Sequence, residues 1–284
     1  MKLVRYGQLG AEKPGLIDKD GTLRDLSSVI ADFTADQISD ESLGKLAKID
    51  QASLPLVPGN PRLGVPVAFV SKYIAIGLNY TDHAEETKLR APKEPIVFMK
   101  AVSCLCGPND DIVLPLDSKK TDWEVELGIV IGKKAQYISE EEALDYVAGY
   151  CTTNDLSERE FQIERGTQWD KGKGCDTFGP VGPWLVTRDE IADPQALDVW
   201  LDVNGQRMQN GNTKNMIFSC AKIVSYLSHF MTLMPGDIIA TGTPAGVGLA
   251  RDPQIFLKPG DVVTVGIQGL GEQKQVVTAN PRQK

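Results

Sequence analysis

From residue 69 onward the chain runs in short apolar stretches broken by glycine, and one stretch alternates without a fault. In DWEVELGIVIG, residues 122–132, the odd positions hold Trp123, Val125, Leu127, Ile129 and Ile131. The even positions hold Glu124, Glu126, Gly128 and Val130. A period of two predicts a β-strand with its odd side chains on one face. YIAIGLN, PIVFMKAVS and YVAGYCTTND predict further strands, the last ending at Asp155. ALDVWLDVNGQRMQ predicts a strand pair turned at Asn204-Gly205. MPGDIIATG (234–242) and KPGDVVTVGIQGLG (258–271) each place a strand after a Pro-Gly turn. Helical spacing is scarcer. It predicts a short helix over TDHAEETKL, a second from Ser139 to Val147, and the longest over residues 214–233.

Residues 1–68 are patterned differently. KLVRYG and PGLIDKDGTLRDLS predict short strands joined at Asp20-Gly21, followed by helical patterns near 26–34 and 40–49. The proline-rich LPLVPGNPRLGVPVA then reads as an extended linker. The expected organisation is a small N-terminal α/β domain over 1–68 and a main domain over 69–284. Many short strands with few helices predict an α+β, mostly β class, a rolled or barrel-like mixed sheet with peripheral helices.

Composition narrows the function without naming it. The chain has 284 residues, a formal net charge of −8 and no Lys/Arg-rich run, which argues against nucleic acid or an anionic membrane as partner. No window approaches the ~18 apolar residues of a membrane helix, and MKLVRYGQLGAEKPG lacks the apolar run of a secretory signal. Five cysteines without a C-x-x-C pair fit a reduced, cytoplasmic protein. Only two histidines, His83 and His229, leave little for a histidine-rich zinc site.

Candidate chemistry begins with the even face of 122–132. Side chains at i and i+2 of a strand lie roughly 6.5–7 Å apart, so Glu124 and Glu126 can reach one ion. Two buried like charges repel, and a hard divalent cation with oxygen ligands relieves them. Asp155, delivered at a strand end, is the candidate third ligand. The alternation equally fits a strand that shows one face to solvent. In NYTDHAEETK, Asp82 and Glu85 have the spacing of a capping box. His83 and Glu86, at i and i+3, have that of a general base oriented by a carboxylate. An exposed acidic helix that happens to hold a histidine fits as well. His229 reads as a packing residue. Lys171 and Lys173 sit in the glycine-rich WDKGKGCDTFGP, where one could balance a substrate carboxylate. TGTPAGVGL could cradle an anion, but it matches neither the phosphate-loop nor the dinucleotide fingerprint.

Seven phrases, in order, carry a resemblance: IGLNYTDHAEE, EPIVFMK, DWEVELGIVIGKKA, GYCTTNDLSERE, KGKGCDTFGPVGP, NGQRMQNGNT and GDIIATGTPAGVG. Over roughly residues 70–270 they resemble the fumarylacetoacetate hydrolase superfamily. The resemblance implies a mixed β-sandwich roll, a homodimer, and Mg²⁺ or Mn²⁺ on Glu124, Glu126 and Asp155. It implies a His83–Glu86 pair on a short helix that closes over the ligand, and Lys173 as the active-site lysine. Gln162 and Thr243 correspond to substrate contacts, and Lys100, which ends EPIVFMK, joins them as an expected substrate-binding residue. Where some decarboxylase members carry G-R-N-Y, this chain has G-L-N-Y with Leu78, one cation fewer, which disfavours oxaloacetate decarboxylation.

The N-terminal phrases resemble the branch of 2,4-diketo-3-deoxy-L-rhamnonate and L-fuconate hydrolases, a branch also labelled ureidoglycolate lyase. The implied reaction is metal-dependent hydrolysis of a C–C bond in a 2,4-dioxo acid, giving pyruvate plus lactate for those sugar acids. Alternatives are an isomerase, tautomerase or decarboxylase of a 2-hydroxy-dienoate or oxaloacetate-like acid, a ureidoglycolate lyase, and a non-catalytic binding protein stapled by its metal.

Overall fold

The alternating stretch forms the strand Val125–Ile131, and burial on both faces replaces the one-sided exposure that alternation permits. It is central to a nine-stranded sheet in the computed structural model, which describes residues 1–87 and 90–283. Lys88 and Leu89, the last positions of the helix expected over TDHAEETKL, lie outside the described residues, as does Lys284.

Across the large sheet the order is Leu23–Asp25, Lys13–Ile17, Lys2–Tyr6, Leu185–Thr187, Val147–Asn154, Val125–Ile131, Ile238–Ala240, Tyr73–Gly77 and Ile96–Lys100. Every neighbouring pair is antiparallel except Ile238–Ala240 with Tyr73–Gly77. A second sheet runs Gln206–Asn212, Asp198–Val203, Val262–Ile267, Gly271–Thr278 and Ile112–Val113. The two sheets meet where Val125–Ile131 and Val147–Asn154 pack on Asp198–Val203 and Val262–Ile267. The result is a mostly β, mixed sandwich roll. Apolar side chains from both sheets, among them Trp123, Leu127, Leu201 and Val265, form one core. Close strand approach is built into the sequence at Gly149, where an added Cβ would lie 2.0 Å from the Val186 carbonyl oxygen. The hairpin at Asn204-Gly205 has both residues at positive φ, 53° and 77°, as a type I′ turn requires.

Residues 1–68 extend this sheet. Lys2 pairs with Val186 and Leu3 with Leu185, and Leu3, Leu16, Leu26 and Phe33 join the same apolar core. The change of pattern near residue 68 is therefore bridged by strand pairing and by a continuous core. Of the two helical patterns there, 40–49 yields Asp40–Leu46, capped by the Ser39 side chain. The 26–34 pattern yields turns.

Two expected helices are corrected. Ser139–Val147 is only a single 3₁₀ turn, Ala143–Tyr146. The long pattern at 214–233 is α-helical only over Cys220–Ser228, started by Ser219, whose hydroxyl accepts from Lys222 N–H at 3.1 Å. Its first residues fall in the 3₁₀ turn Thr213–Asn215, and between that turn and the helix the chain is pinned by Asn79. Its Oδ1 accepts from Phe218 N–H at 2.7 Å, and its Nδ2 donates to the Phe218 carbonyl at 3.0 Å. A side chain that satisfies the backbone locally removes the need for a helix. Among the described residues no helix is long and apolar enough to cross a membrane.

Candidate active site

Antiparallel register brings the acids together. Glu126 pairs with Thr153 and Val125 with Asn154, so Asp155, one residue on, lies beside Glu124 and donates its N–H to the Glu124 carbonyl at 2.8 Å. Glu124, Glu126 and Asp155 are 6, 2 and 0 % exposed, and each offers an oxygen within 4.8 Å of the others. Three buried carboxylates this close need cations. Lys173 Nζ donates to Glu124 Oε2 and to Asp155 Oδ2, 2.7 Å each. Arg159 Nη2 lies 2.7 Å from Glu124 Oε1 and 2.7 Å from Asp122 Oδ2.

Glu126 is left over. Among the described residues no cation contacts it, and one of its oxygens accepts from Gly242 N–H at 2.8 Å. Burial, then the charges of Asp155 and Glu124, push its carboxyl well above the usual range. Burial also pushes Glu124 up, but Lys173 and then Arg159 outweigh it and hold that group low. Four acids, Asp122, Glu124, Glu126 and Asp155, stand against three cations, Lys100, Arg159 and Lys173, and Glu126, the acid without a partner, favours its proton. An all-oxygen donor set with one acid more than its cations fits a hard divalent cation. Each paired carboxylate oxygen keeps a lone pair for it.

The short helix Thr81–Glu86 sets His83 at this cavity. His83 is 8 % exposed, and its Nδ1 lies 3.3 Å from Glu86 Oε2. Both Glu86 oxygens accept from Gly246 N–H at 3.0 Å. Burial raises the Glu86 carboxyl, but the His83 and Gly246 hydrogen bonds prevail and hold it below its ordinary value. The expected capping box is absent. The helix begins at Thr81, so Asp82 is already in the first turn, where its Oδ1 accepts from His83 N–H, and Glu85 is exposed.

Glu124, Glu126, His83, Gln162, Lys173 and Thr243 share one cavity of about 130 Å³. Gln162 accepts from Arg159 Nη1 at 3.0 Å, and Thr243 Oγ1 accepts from Gln209 Nε2 at 2.7 Å. Lys100 is a correction. It is outside the cavity wall, fully buried, with Nζ 2.5 Å from Asp155 Oδ1 and hydrogen bonds to the carbonyls of Lys173 and Leu156. A lysine with three acceptors beneath an acid supports that acid; it has no path to a substrate. Lys171 points elsewhere, to the Arg165 carbonyl, and His229 packs edge-on against Tyr137.

Sequence reasoning overlooked the residues that hold these in place. Asp122 accepts from Trp123, Gly248 and Leu249 N–H and from Arg159 Nε, tying the strand to the loop after Ile238–Ala240. Gln209 spans Val125 N–H, Thr243 and the Pro244 carbonyl. Arg159 had a signal, since it falls four residues after Asp155 in a phrase otherwise rich in acids. Asp122 and Gln209 act through backbone groups distant in sequence, which no spacing reveals.

Comparison with known proteins agrees with this geometry. Residues 72–278 match the family described as fumarylacetoacetate (FAA) hydrolase C-terminal. A Burkholderia lata protein that carries a provisional hydrolase name is 60% identical over 276 residues, 97% of this chain and 98% of its own. The structure of maleylpyruvate hydrolase from Sphingobium sp. SYK-6 with manganese(II) and pyruvate superposes with a TM-score of 0.82 at 30% identity, covering 99% of this chain and 100% of that one. The 5-carboxymethyl-2-hydroxymuconate delta-isomerase of Mycobacterium smegmatis superposes at 0.76 with 32% identity, again over 99% and 100%. The chain belongs to the fumarylacetoacetate hydrolase superfamily of enzymes.

Proposed function

We propose that the protein hydrolyses the C3–C4 bond of a 2,4-dioxo acid of the acylpyruvate type and releases pyruvate. The observation that carries this reading is the cluster of Glu124, Glu126 and Asp155, two of whose members line one small cavity with His83, itself paired to Glu86. Glu124, Glu126 and Asp155 would hold a divalent cation, Mg²⁺ or Mn²⁺, which would supply Lewis acidity toward the 2-oxo acid head. The remaining steps belong to the chain. With Nδ1 facing the Glu86 carboxylate, the neutral tautomer of His83 carries its proton on Nδ1 and leaves Nε2 free to accept one from water. As the water oxygen bonds to C4, the C3–C4 bond breaks and its electron pair stays with C3, which then takes a proton to complete pyruvate. Lys173 and Arg159 offset the negative charge gathered at the carboxylate floor.

Within that class the N-terminal resemblance alone points to 2,4-diketo-3-deoxy-L-rhamnonate or L-fuconate, which would give pyruvate and lactate, whereas the apolar face of the cavity argues for an alkyl tail in their place. A second reading, isomerisation of a 2-hydroxy-dienoate, is supported by the likeness to the Mycobacterium smegmatis isomerase. A panel of 2,4-dioxo acids assayed for pyruvate, with ¹⁸O-labelled water traced into the acyl product, separates the two. Hydrolysis places one labelled oxygen in the new carboxylate, whereas turnover without carbon cleavage supports the isomerase. The same proposal takes the active form to be a homodimer. Sedimentation velocity should then show a species of twice the 30.9 kDa chain.

A further inference from the structure

The acids occupy only part of the cavity wall. Beside the polar groups of His83, Thr87, Gln162 and Thr243, its apolar face is formed by Ile76, Leu78, Phe98, Ile163 and Trp169, side chains whose single polar atom is the indole nitrogen. Three contacts fix this wall relative to the acids. Phe98 and Lys100 are two apart on the strand Ile96–Lys100 and so point to the same side. Lys100 ends on Asp155, and Phe98 is therefore one step, roughly 6.5–7 Å, along from the acid floor. Trp169 precedes the helix Asp170–Lys173, and Lys173 N–H donates to its carbonyl at 3.2 Å, so indole and active-site ammonium are one turn apart. The two rings meet edge to face with centroids 5.5 Å apart, and Lys173 Nζ is 5.3 Å from the Phe98 centroid.

Gly77 completes the wall from the other side. A Cβ there would lie 2.6 Å from Trp169 Cζ3, so the indole occupies space that only glycine leaves open. The cations that line the cavity, Lys173 and Arg159, are both committed to Glu124 and its neighbours. Among the described residues no other lysine or arginine lines it.

On the reading that the enzyme is a 2,4-dioxo acid hydrolase, we propose that Phe98 and Trp169 are specificity-determining residues that select an uncharged alkyl tail beyond C4. A terminal carboxylate would be desolvated against aromatic carbon without a partner. A hydroxylated tail laid on this face, as in the sugar acids, loses water for at most the indole N–H, since the other neutral polar side chains of the cavity, Thr87, Gln162 and Thr243, lie off it. An alkyl tail gains from burial at each carbon. The wall thus ranks substrates within the class by the apolar surface of the leaving acyl group.

The test uses the metal-loaded enzyme and straight-chain 2,4-dioxo acids of five, six and seven carbons, beside a seven-carbon analogue ending in a carboxylate and the 5-hydroxy sugar acids. Pyruvate release should give kcat/KM rising about fourfold per added methylene until the cavity is full. The carboxylate-ended and hydroxylated acids should fall below the alkyl acid of equal length. Trp169→Ala should flatten the series or move its optimum to longer tails, and Trp169→Phe should preserve it, with melting temperatures confirming that both fold. Calorimetric titration with 2-oxopentanoate, 2-oxohexanoate and 2-oxoadipate reads tail preference without turnover. If pyruvate is released but the tail has no effect, or Trp169→Ala leaves the series unchanged, the wall does not select and the hydrolase reading stands. If no acid releases pyruvate, the hydrolase reading falls, and the titration alone decides whether the wall prefers alkyl tails.

Discussion

Lys100 shows how residue type and residue role part company. It is a lysine in a phrase shared with a family of enzymes, yet its ammonium is sealed beneath Asp155. Burial pulls its pKa down, but Asp155 outweighs burial and the group stays charged. Removing one partner of a buried pair leaves the other uncompensated, at a typical cost of about 3–5 kcal/mol. Lys100→Met should therefore lower the stability of the metal-free protein by roughly that amount, read by urea unfolding. A loss confined to KM with unchanged stability would instead return Lys100 to the substrate. Glu86 is the second test at this scale. Its carboxyl is held low by His83 and Gly246, so the stability it adds is complete above the ordinary value of 4.5 and is lost as pH falls through its lower folded value. The difference in melting temperature between wild type and Glu86→Gln should be constant above pH 5 and shrink below 4.5. A difference that grew on acidification would contradict the assigned hydrogen bonds.

At the scale of elements, strands and the short helices Asp40–Leu46 and Thr81–Glu86 were legible and the longer helical patterns were not, for a physical reason. Alternation in DWEVELGIVIG and the Asn204-Gly205 and Asp20-Gly21 turns are local statements, and each became the expected strand or hairpin. Helical periodicity at 214–233 was overruled by Asn79, a contact across 139 positions. The acids were legible because Glu126 lies on one strand with Glu124 just before it, and Asp155 directly follows another. Their supports were not, since Asp122 and Gln209 work on backbone groups brought near only by the roll. Trp123 illustrates the difference. Read as a core residue on the odd face, it is fully buried, but its Nε1–H also donates to the Gly246 carbonyl at 3.2 Å. Gly246 N–H in turn holds Glu86, and Glu86 holds His83, so an element of the core aims the base. Trp123→Phe keeps most of the buried surface and deletes that hydrogen bond, which costs stability only about 0.5–1.5 kcal/mol. Misplacement of His83 should cost more, on the order of tenfold to a hundredfold in kcat. Steady-state kinetics beside a melting curve checks it, and an equal, small effect on both would make Trp123 a packing residue only.

At the scale of the whole molecule, the fold concentrates charge on buried side chains, Glu124, Glu126, Asp155, Lys100, Arg159 and Lys173, where little water screens it. Coulomb energies there are several-fold larger than at the surface. Lys100, Arg159 and Lys173 balance three of the four acids, and the remainder falls on Glu126. A further positive charge at this cluster would therefore add to the stability of the folded molecule. A cation that binds the folded chain and not the unfolded one adds about 2.7 kcal/mol at a hundred times its dissociation constant. Chelation should lower the melting temperature, and Mg²⁺ or Mn²⁺ should restore it. Glu126→Gln sharpens this. The amide keeps an oxygen for Gly242 N–H and removes an acid whose ionised form burial, Asp155 and Glu124 disfavour, so the metal-free variant should melt above metal-free wild type. It should also lose most of its response to added metal. Were Glu126→Gln to melt lower without metal and still respond fully to Mn²⁺, the surplus charge would have to be placed elsewhere, and Glu126 would cease to be a ligand of the proposed centre.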